Sequence, residues 1–146
     1  MEHELVSKGD FKVIGISRKI SNENAQKEIP EMWKEFILNN YLEKIPNLKS
    51  NSIMALYTNY EGDHTKPFIY TIGCEVTSIQ DVPLGLDGVT VPGNKYALFR
   101  VKGGLPDSLI ETWKEIWTSK SLERKFEADF EVVKGADEVH VYISLK

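Results

Sequence analysis

Glu31-Met32-Trp33-Lys34-Glu35 recurs 80 positions later as Glu111-Thr112-Trp113-Lys114-Glu115, so one Glu-x-Trp-Lys-Glu pattern occurs twice in a chain of 146 residues. An internal repeat changes the expected fold more than a single motif does. Because a short match also arises by chance, the flanking sequence decides whether the chain is duplicated.

The sequence on both sides of the pattern repeats in kind. One strand-like run precedes each copy and two more follow it, with alternating or β-branched residues and turn-rich joints. The runs are Phe11–Ile16, Ile53–Tyr60 and Phe68–Val76 in the first half, and Tyr96–Val101, Phe130–Val133 and Val139–Leu145 in the second. Each half thus reads strand, helix, strand, strand, which predicts an α+β fold made of two tandem β-α-β-β modules.

Both copies of the pattern lie on amphipathic helices. Apolar residues recur at helical spacing, with each Trp in the middle of the apolar stripe. The stripes are Ile29, Met32, Trp33, Phe36 and Ile37, and Leu109, Trp113, Ile116 and Trp117. Each helix is therefore expected to cover a sheet with its Trp side. Two starts are open for the first helix: near Asn24, which puts Pro30 inside and predicts a kink, or near Ile29, which puts Pro30 in the first turn.

We expect one domain over residues 1–146, with a first module at about 1–81 and a second at about 95–146. Between them, residues 82–94 hold three Gly and two Pro and interrupt both periodicities. Such a segment is typical of a linker.

Composition and charge exclude several classes of function. The net charge is −4, with 18 basic and 22 acidic residues and no basic block. This argues against direct nucleic-acid binding, which depends on clustered Lys and Arg. No apolar run approaches the roughly 20 residues of a membrane-spanning helix, and the acidic start at Met1–Glu4 is unlike a signal peptide. We therefore expect a cytoplasmic protein that binds neither nucleic acid nor membrane.

The sequence also predicts no metal and no cofactor. His3, His64 and His140 are far apart, Cys74 is the single cysteine, and no glycine-rich phosphate-binding pattern occurs. A single cysteine excludes an intramolecular disulfide. Within a predicted strand, Cys74 is either a small buried side chain or a reactive thiol.

Glu131 is the candidate functional residue with the clearest chemistry. Alternation in Ala128–Val133 places it with Asp129 and Val133 on a mixed face of a strand. The pattern alone favours an exposed carboxylate, because ionised carboxylates are seldom buried unpaired. The alternative places Glu131 inside, where its charge is costly until a cation arrives. Three strand tyrosines, Tyr57, Tyr70 and Tyr142, suit a pocket lined by rings with polar tips.

Seven segments in order resemble the gyrase-inhibitory-protein-like (GyrI-like) small-molecule-binding family, whose domain is also the effector-binding part of some AraC-type and MerR-type transcription activators. The segments are Ile29–Trp33, Tyr70–Val76, Pro83–Leu86, Val91–Phe99, Leu109–Trp113, Asp129–Val132 and Glu138–Ile143. Together they span nearly the whole chain.

This resemblance implies a pseudo-two-fold fold, an antiparallel sheet with two main helices, and a central ligand cleft. In the multidrug-sensing members, an acidic residue after a Phe sits among rings and meets flat cationic ligands, and Glu131 occupies that position. We expect Tyr142, Tyr57 and Tyr70 to line the cleft. Trp33 and Trp113 are further candidates whose default role is packing.

The leading hypothesis is a binding protein for a hydrophobic, cationic aromatic molecule, serving to sense or sequester it. The chain shows no helix-turn-helix, so we expect the sensing module without a DNA reader. Some relatives are hydrolases of electrophilic natural products, in which case Glu131 would be the general base. A third alternative is a protein-interaction module that, like the gyrase inhibitor, engages a protein partner. Both a monomer and a homodimer fit the sequence.

Overall fold

The computed structural model describes residues 2–146, which form eight strands and three helices. The α+β class predicted from the sequence is confirmed. In chain order the elements are β1 Glu4–Lys8, β2 Phe11–Ile20, α1 Ala25–Leu38, α2 Tyr41–Lys44, β3 Leu48–Thr58, β4 Phe68–Val76, β5 Asp87–Val91, β6 Asn94–Lys102, α3 Asp107–Thr118, β7 Ala128–Gly135 and β8 Glu138–Leu145.

The strand order shows the duplication directly. All neighbouring strands are antiparallel, in the order β1-β6-β8-β7-β3-β4-β2-β5. Read from one edge the order is β1, β6, β8, β7, and read from the other it is β5, β2, β4, β3. Each β-α-β-β module therefore occupies half of the sheet in the same arrangement, and the pair of β3 and β7 lies at the pseudo-two-fold axis.

The segment expected to be a linker contains a strand. Residues 87–91 form β5, which pairs with β2 from Phe11 opposite Val91 to Gly15 opposite Asp87, and Asn94 already belongs to β6. Flanking Pro and Gly hide this short strand in the sequence, since its partner lies some 80 positions away in the other module. The same holds for β1, which the sequence did not predict and which pairs with β6.

These two short strands close the sheet. Lys8 is opposite Asn94 and Phe11 is opposite Val91, so the β1–β6 and β2–β5 ladders share one register on either side of residues 9–10 and 92–93. Between the two ladders the Gly93 N–H donates to Asp10 Oδ1 at 2.6 Å. A Cβ on Gly93 would lie 3.2 Å from the Lys8 carbonyl oxygen, which explains a glycine at this crossing. The opposite edges of the sheet thus meet here.

The two main helices pack on one face of the sheet, which we call the helix face. Met32 and Phe36 of α1 are buried on the first module, and Trp113 and Ile116 of α3 on the second. The opposite face carries a separate core at the closed end of the sheet. Its buried residues are Phe11, Val13, Met54, Leu56, Val91, Tyr96, Ala128 and Phe130.

The first helix begins early, at Ala25 after the cap residue Asn24. Pro30 consequently lies inside α1, as in the first of the two alternatives left open by the sequence. Helix α3 begins at Asp107, directly after Pro106, so its proline falls at the helix start. None of the three helices within residues 2–146 is long and apolar enough to cross a membrane.

Candidate functional site

Glu131 lies in the middle of the sheet, on the helix face. In the central ladder it is directly opposite Ala55 of β3, so only the second module supplies a carboxylate at this position. Its side chain is on the same face as Tyr57, two residues along β3. The residue is 8% exposed. Of the two alternatives left open by the sequence, the structure therefore has the buried carboxylate.

Both modules donate hydrogen bonds to this carboxylate. Trp113 Nε1 of α3 donates to Glu131 Oε2 at 2.6 Å, and Tyr57 Oη of β3 donates to the same oxygen at 3.1 Å. Hydrogen bonds to an ionised acceptor are shorter and stronger than neutral ones. Two neutral donors still leave the negative charge without a cation.

Burial raises the pKa of Glu131 above its ordinary value, and the hydrogen bonds from Trp113 and Tyr57 offset part of this rise. Desolvation disfavours the charged form of a carboxyl group, whereas donors favour it. No ion pair reaches Glu131 from any residue of 2–146. The buried carboxylate is therefore stabilised by neutralisation of its charge, either by a proton or by a bound cation.

A second strand residue of the same module shows what a satisfied buried acid looks like. Asp129, two residues before Glu131 on the same face, is fully buried and forms an ion pair with Arg124 at 2.7 Å. Tyr60 Oη also donates to it at 2.7 Å, and Ser144 donates through its backbone N–H and its hydroxyl. Of these two neighbouring acids, Glu131 alone lacks a cation.

Aromatic rings extend from Glu131 to the first module. Tyr57 packs against Trp113 with a ring-centroid distance of 5.0 Å and edge-on against Tyr70 at 5.1 Å. Trp33 Nε1 of α1 donates to Tyr70 Oη at 2.9 Å. Burial, and after it the Glu131 charge, raises the pKa values of Tyr57 and Tyr70, so both hydroxyls keep their protons. The chain of rings joins α1 to α3 across the pseudo-two-fold axis.

The structure thus brings together five of the six residues predicted from the sequence. Glu131, Tyr57, Tyr70, Trp33 and Trp113 form one cluster, which we call the Glu131 cluster. The two tryptophans do more than pack, because each indole N–H has a polar partner in the cluster.

Tyr142 is not part of the Glu131 cluster. It is opposite Phe130 in the β7–β8 ladder, and its ring stacks on Phe130 at 4.4 Å and 12°. Since neighbouring strand residues point to opposite faces, Tyr142 lies across the sheet from Glu131. The sequence placed Tyr142 on a neighbouring strand but held no information about the register that sets its face.

Three residues near the Glu131 cluster were missed in the sequence. Phe68 lies 5.4 Å from Tyr57, and the half-exposed Trp117 stacks on His64 at 6.0 Å and 11°. Trp117 follows Trp113 by one helical turn, so its place in the apolar stripe was the available signal. His64 belongs to the β3–β4 loop, and no local pattern pointed to it.

The Glu131 cluster is closed in this conformation. Tyr70 is 1% exposed, and Trp113, like Glu131, is 8% exposed. A ligand that reaches the carboxylate must therefore displace a ring. In the described chain, residues 2–146, no group of three or more His, Cys, Asp or Glu side chains is placed to hold a metal ion.

Comparison with known families decides the relationship of this chain. The sequence model of Cass2, the integron-associated effector binding protein, matches residues 4–145. The chain belongs to this family. The resemblance to effector-binding domains noted from the sequence is thereby confirmed.

Two relatives at 28% identity and one protein that shares the fold illustrate this similarity. YobU of Bacillus subtilis (strain 168), whose name assigns it provisionally to the transcriptional regulators, is 28% identical over 144 residues, covering 90% of each chain. An integron cassette protein from the mobile metagenome of Vibrio cholerae is 28% identical, with a TM-score of 0.81 over 99% of this chain and 95% of that one. SAV2435, solved with bound tetraphenylphosphonium, is 19% identical, with a TM-score of 0.83 over 100% of this chain and 94% of that one.

Proposed function

We propose that this effector-binding protein binds hydrophobic aromatic cations between its two modules, with Glu131 as the charge partner. The observation that carries the proposal is a buried carboxylate that has two neutral hydrogen-bond donors, aromatic side chains beside it and no cationic partner. The role that follows is to sense or sequester drug-like compounds.

The electrostatics favour a cation with delocalised charge. A buried ionised carboxylate without a partner costs several kcal/mol, and a bound cation offsets that cost. A compact ammonium ion would itself be expensive to dehydrate, whereas a charge shielded by phenyl groups is not. Selectivity is then set by charge and by apolar size.

The rings explain why such binding would tolerate different ligands. Trp113, Tyr57 and Tyr70 offer π faces, which attract cations by about 0.5 to 2 kcal/mol each depending on desolvation. Dispersion contacts with flat rings depend little on the exact shape of a ligand. SAV2435, which shares the fold, is a protein bound to a cation of this chemical type, tetraphenylphosphonium.

The test is a titration of the full chain with tetraphenylphosphonium, followed by calorimetry and by tryptophan fluorescence. We expect binding that Glu131→Gln weakens by about tenfold or more, because a charge-assisted contact is lost. The neutral triphenylphosphine oxide should bind more weakly than the cation to the native protein. Because the oxide carries no positive charge, Glu131→Gln should not weaken its binding.

The matched control is Glu123→Gln, which removes an exposed carboxylate near α3 and should leave the affinity unchanged. Equal affinity of the native protein and Glu131→Gln for the cation would refute the proposed role of this carboxylate. Equal binding of the cation and its neutral analogue would do the same.

A further inference from the structure

A cavity of about 240 Å³ lies on the opposite face of the sheet from Glu131. It opens beside an irregularity in the β3–β4 ladder, where Leu48 is opposite Val76 and Ile53 is opposite Cys74. Residues 49–52 of β3 therefore face Glu75 alone. This bulge lifts two serines out of the ladder, and Ser50 and Ser52 form one wall of the cavity.

The floor of the cavity is apolar. Phe130 and Tyr142, whose rings stack at 4.4 Å and 12°, line it together with Met54 and Val132. Phe130 and Met54 are buried, while Tyr142 is partly exposed and can meet a ligand. A ring that lies on this floor gains apolar contact and aromatic stacking.

The rim of the cavity is basic. Lys8 and Lys134 line it together with a single acid, Glu75. Glu75 is already neutralised, by Lys8 at 3.4 Å and by Lys49 at 3.5 Å. The Lys134 side chain has no hydrogen bond or ion pair with any residue of 2–146. The cavity thus has a positively charged rim, whereas the charged group of the Glu131 cluster is a carboxylate.

We propose that this cavity is a second ligand site, selective for a flat aromatic carboxylate of one or two rings. The rings would pack on the partly exposed Tyr142, which itself stacks on Phe130, and the carboxylate would meet Lys134 and Lys8 at the rim. The Ser50 and Ser52 hydroxyls are placed to add hydrogen bonds. The cavity is smaller than the roughly 300 to 1000 Å³ typical of sites for drug-sized ligands, which limits the occupant to this size.

Calorimetric titration of the full chain with naphthalene-2-carboxylate tests this site. We expect the acid to bind at least about tenfold more tightly than naphthalene-2-carboxamide, which has the same rings without the charge. Lys134→Gln and Lys8→Gln should each weaken binding of the acid by about tenfold, and leave binding of the amide unchanged. Lys120→Gln, on an exposed residue remote from the cavity, is the control and should behave as the native protein.

Three further variants test this site and separate it from the Glu131 cluster. Glu131→Gln should leave the affinity for the acid unchanged, and saturating tetraphenylphosphonium should not displace it. Tyr142→Ala should weaken binding of both acid and amide, while Tyr142→Phe, which keeps the ring, should not. The proposal is overturned if the amide binds as well as the acid, if no binding occurs, or if Glu131→Gln abolishes it.

Discussion

Glu131 and Asp129 lie on the same face of one strand, but Asp129 has a cationic partner and Glu131 has none. Asp129 has Arg124 as its cationic partner. Glu131 has only neutral donors, and burial raises its pKa. Alternation in the sequence placed both acids on one face but could not distinguish them. The distinction depends on Arg124, which reaches Asp129 from the segment between α3 and β7, where it forms a β-bridge with Leu145.

The raised pKa of Glu131 predicts a pH-dependent stability. The native state binds a proton at Glu131 more tightly than the unfolded chain does. This proton binding adds to the free energy of unfolding, and its contribution is fully present below the ordinary pKa of 4.5. It is lost as pH rises through the higher pKa of the folded state. Thermal unfolding of native protein and Glu131→Gln between about pH 4 and pH 7 measures this.

We expect Glu131→Gln to gain melting temperature relative to the native protein as pH rises, because the amide never ionises. Glu123→Gln should show no such trend. A constant difference in melting temperature between native protein and Glu131→Gln over the whole range would contradict an elevated pKa.

At the scale of elements, the β2–β4 ladder depends on two glycines that face each other. Gly15 is directly opposite Gly73. A Cβ added to Gly73 would lie 2.2 Å from the Ile14 carbonyl oxygen and 2.8 Å from Gly15 Cα, both backbone atoms. Only glycine permits this approach of the two strands.

Gly73→Ala is therefore expected to destabilise the fold by about 1 to 3 kcal/mol or more, since the strands must separate to admit a methyl group. Chemical denaturation measures the free energy of unfolding. The control is Gly135→Ala near the end of β7, where an added Cβ meets nothing within 4 Å. Equal stability of Gly73→Ala and the native protein would show that the ladder relaxes without cost.

The sequence revealed the elements whose signals are local. Periodic apolar residues identified α1 and α3, and alternating runs identified the central strands, because each pattern reflects its own buried face. The short strands β1 and β5 were not predicted, because each is stabilised by pairing with the other module. Tyr142 shows the same limit at the candidate site. Its strand was predicted, but its face follows from the register with β7, and register is a long-range property.

At the scale of the molecule, the duplication produces interlocked halves. β1 of the first module pairs with β6 of the second, and β5 of the second half pairs with β2 of the first. The modules meet again where β3 pairs with β7, beside the Glu131 cluster. A site that takes Tyr57 from one module and Glu131 from the other exists only when the halves are joined.

This interlocking predicts that neither half folds alone. A fragment of residues 1–84 lacks the strands that cover both edges of its half-sheet, and a fragment of residues 85–146 lacks β1 and the partner of β7. Each should give no cooperative thermal transition, because unpaired edges and an uncovered apolar face remain. Mixed in equal amounts, the two fragments should recover the circular dichroism spectrum and cooperative unfolding of the intact chain.

The junction between residues 84 and 85 is suited to this test, because Leu84 is fully exposed and Gly85 lies in a loop with φ of +89°. A six-residue Gly/Ser insertion there serves as the control and should leave the intact chain folded. The same insertion between Gly9 and Asp10 should destabilise it. These residues connect β1 to β2, and the Asp10 carboxylate accepts a hydrogen bond from the Gly93 N–H. Cooperative folding of fragment 1–84 by itself would show instead that the halves are independent modules, and the Glu131 cluster would then be an interface between two domains.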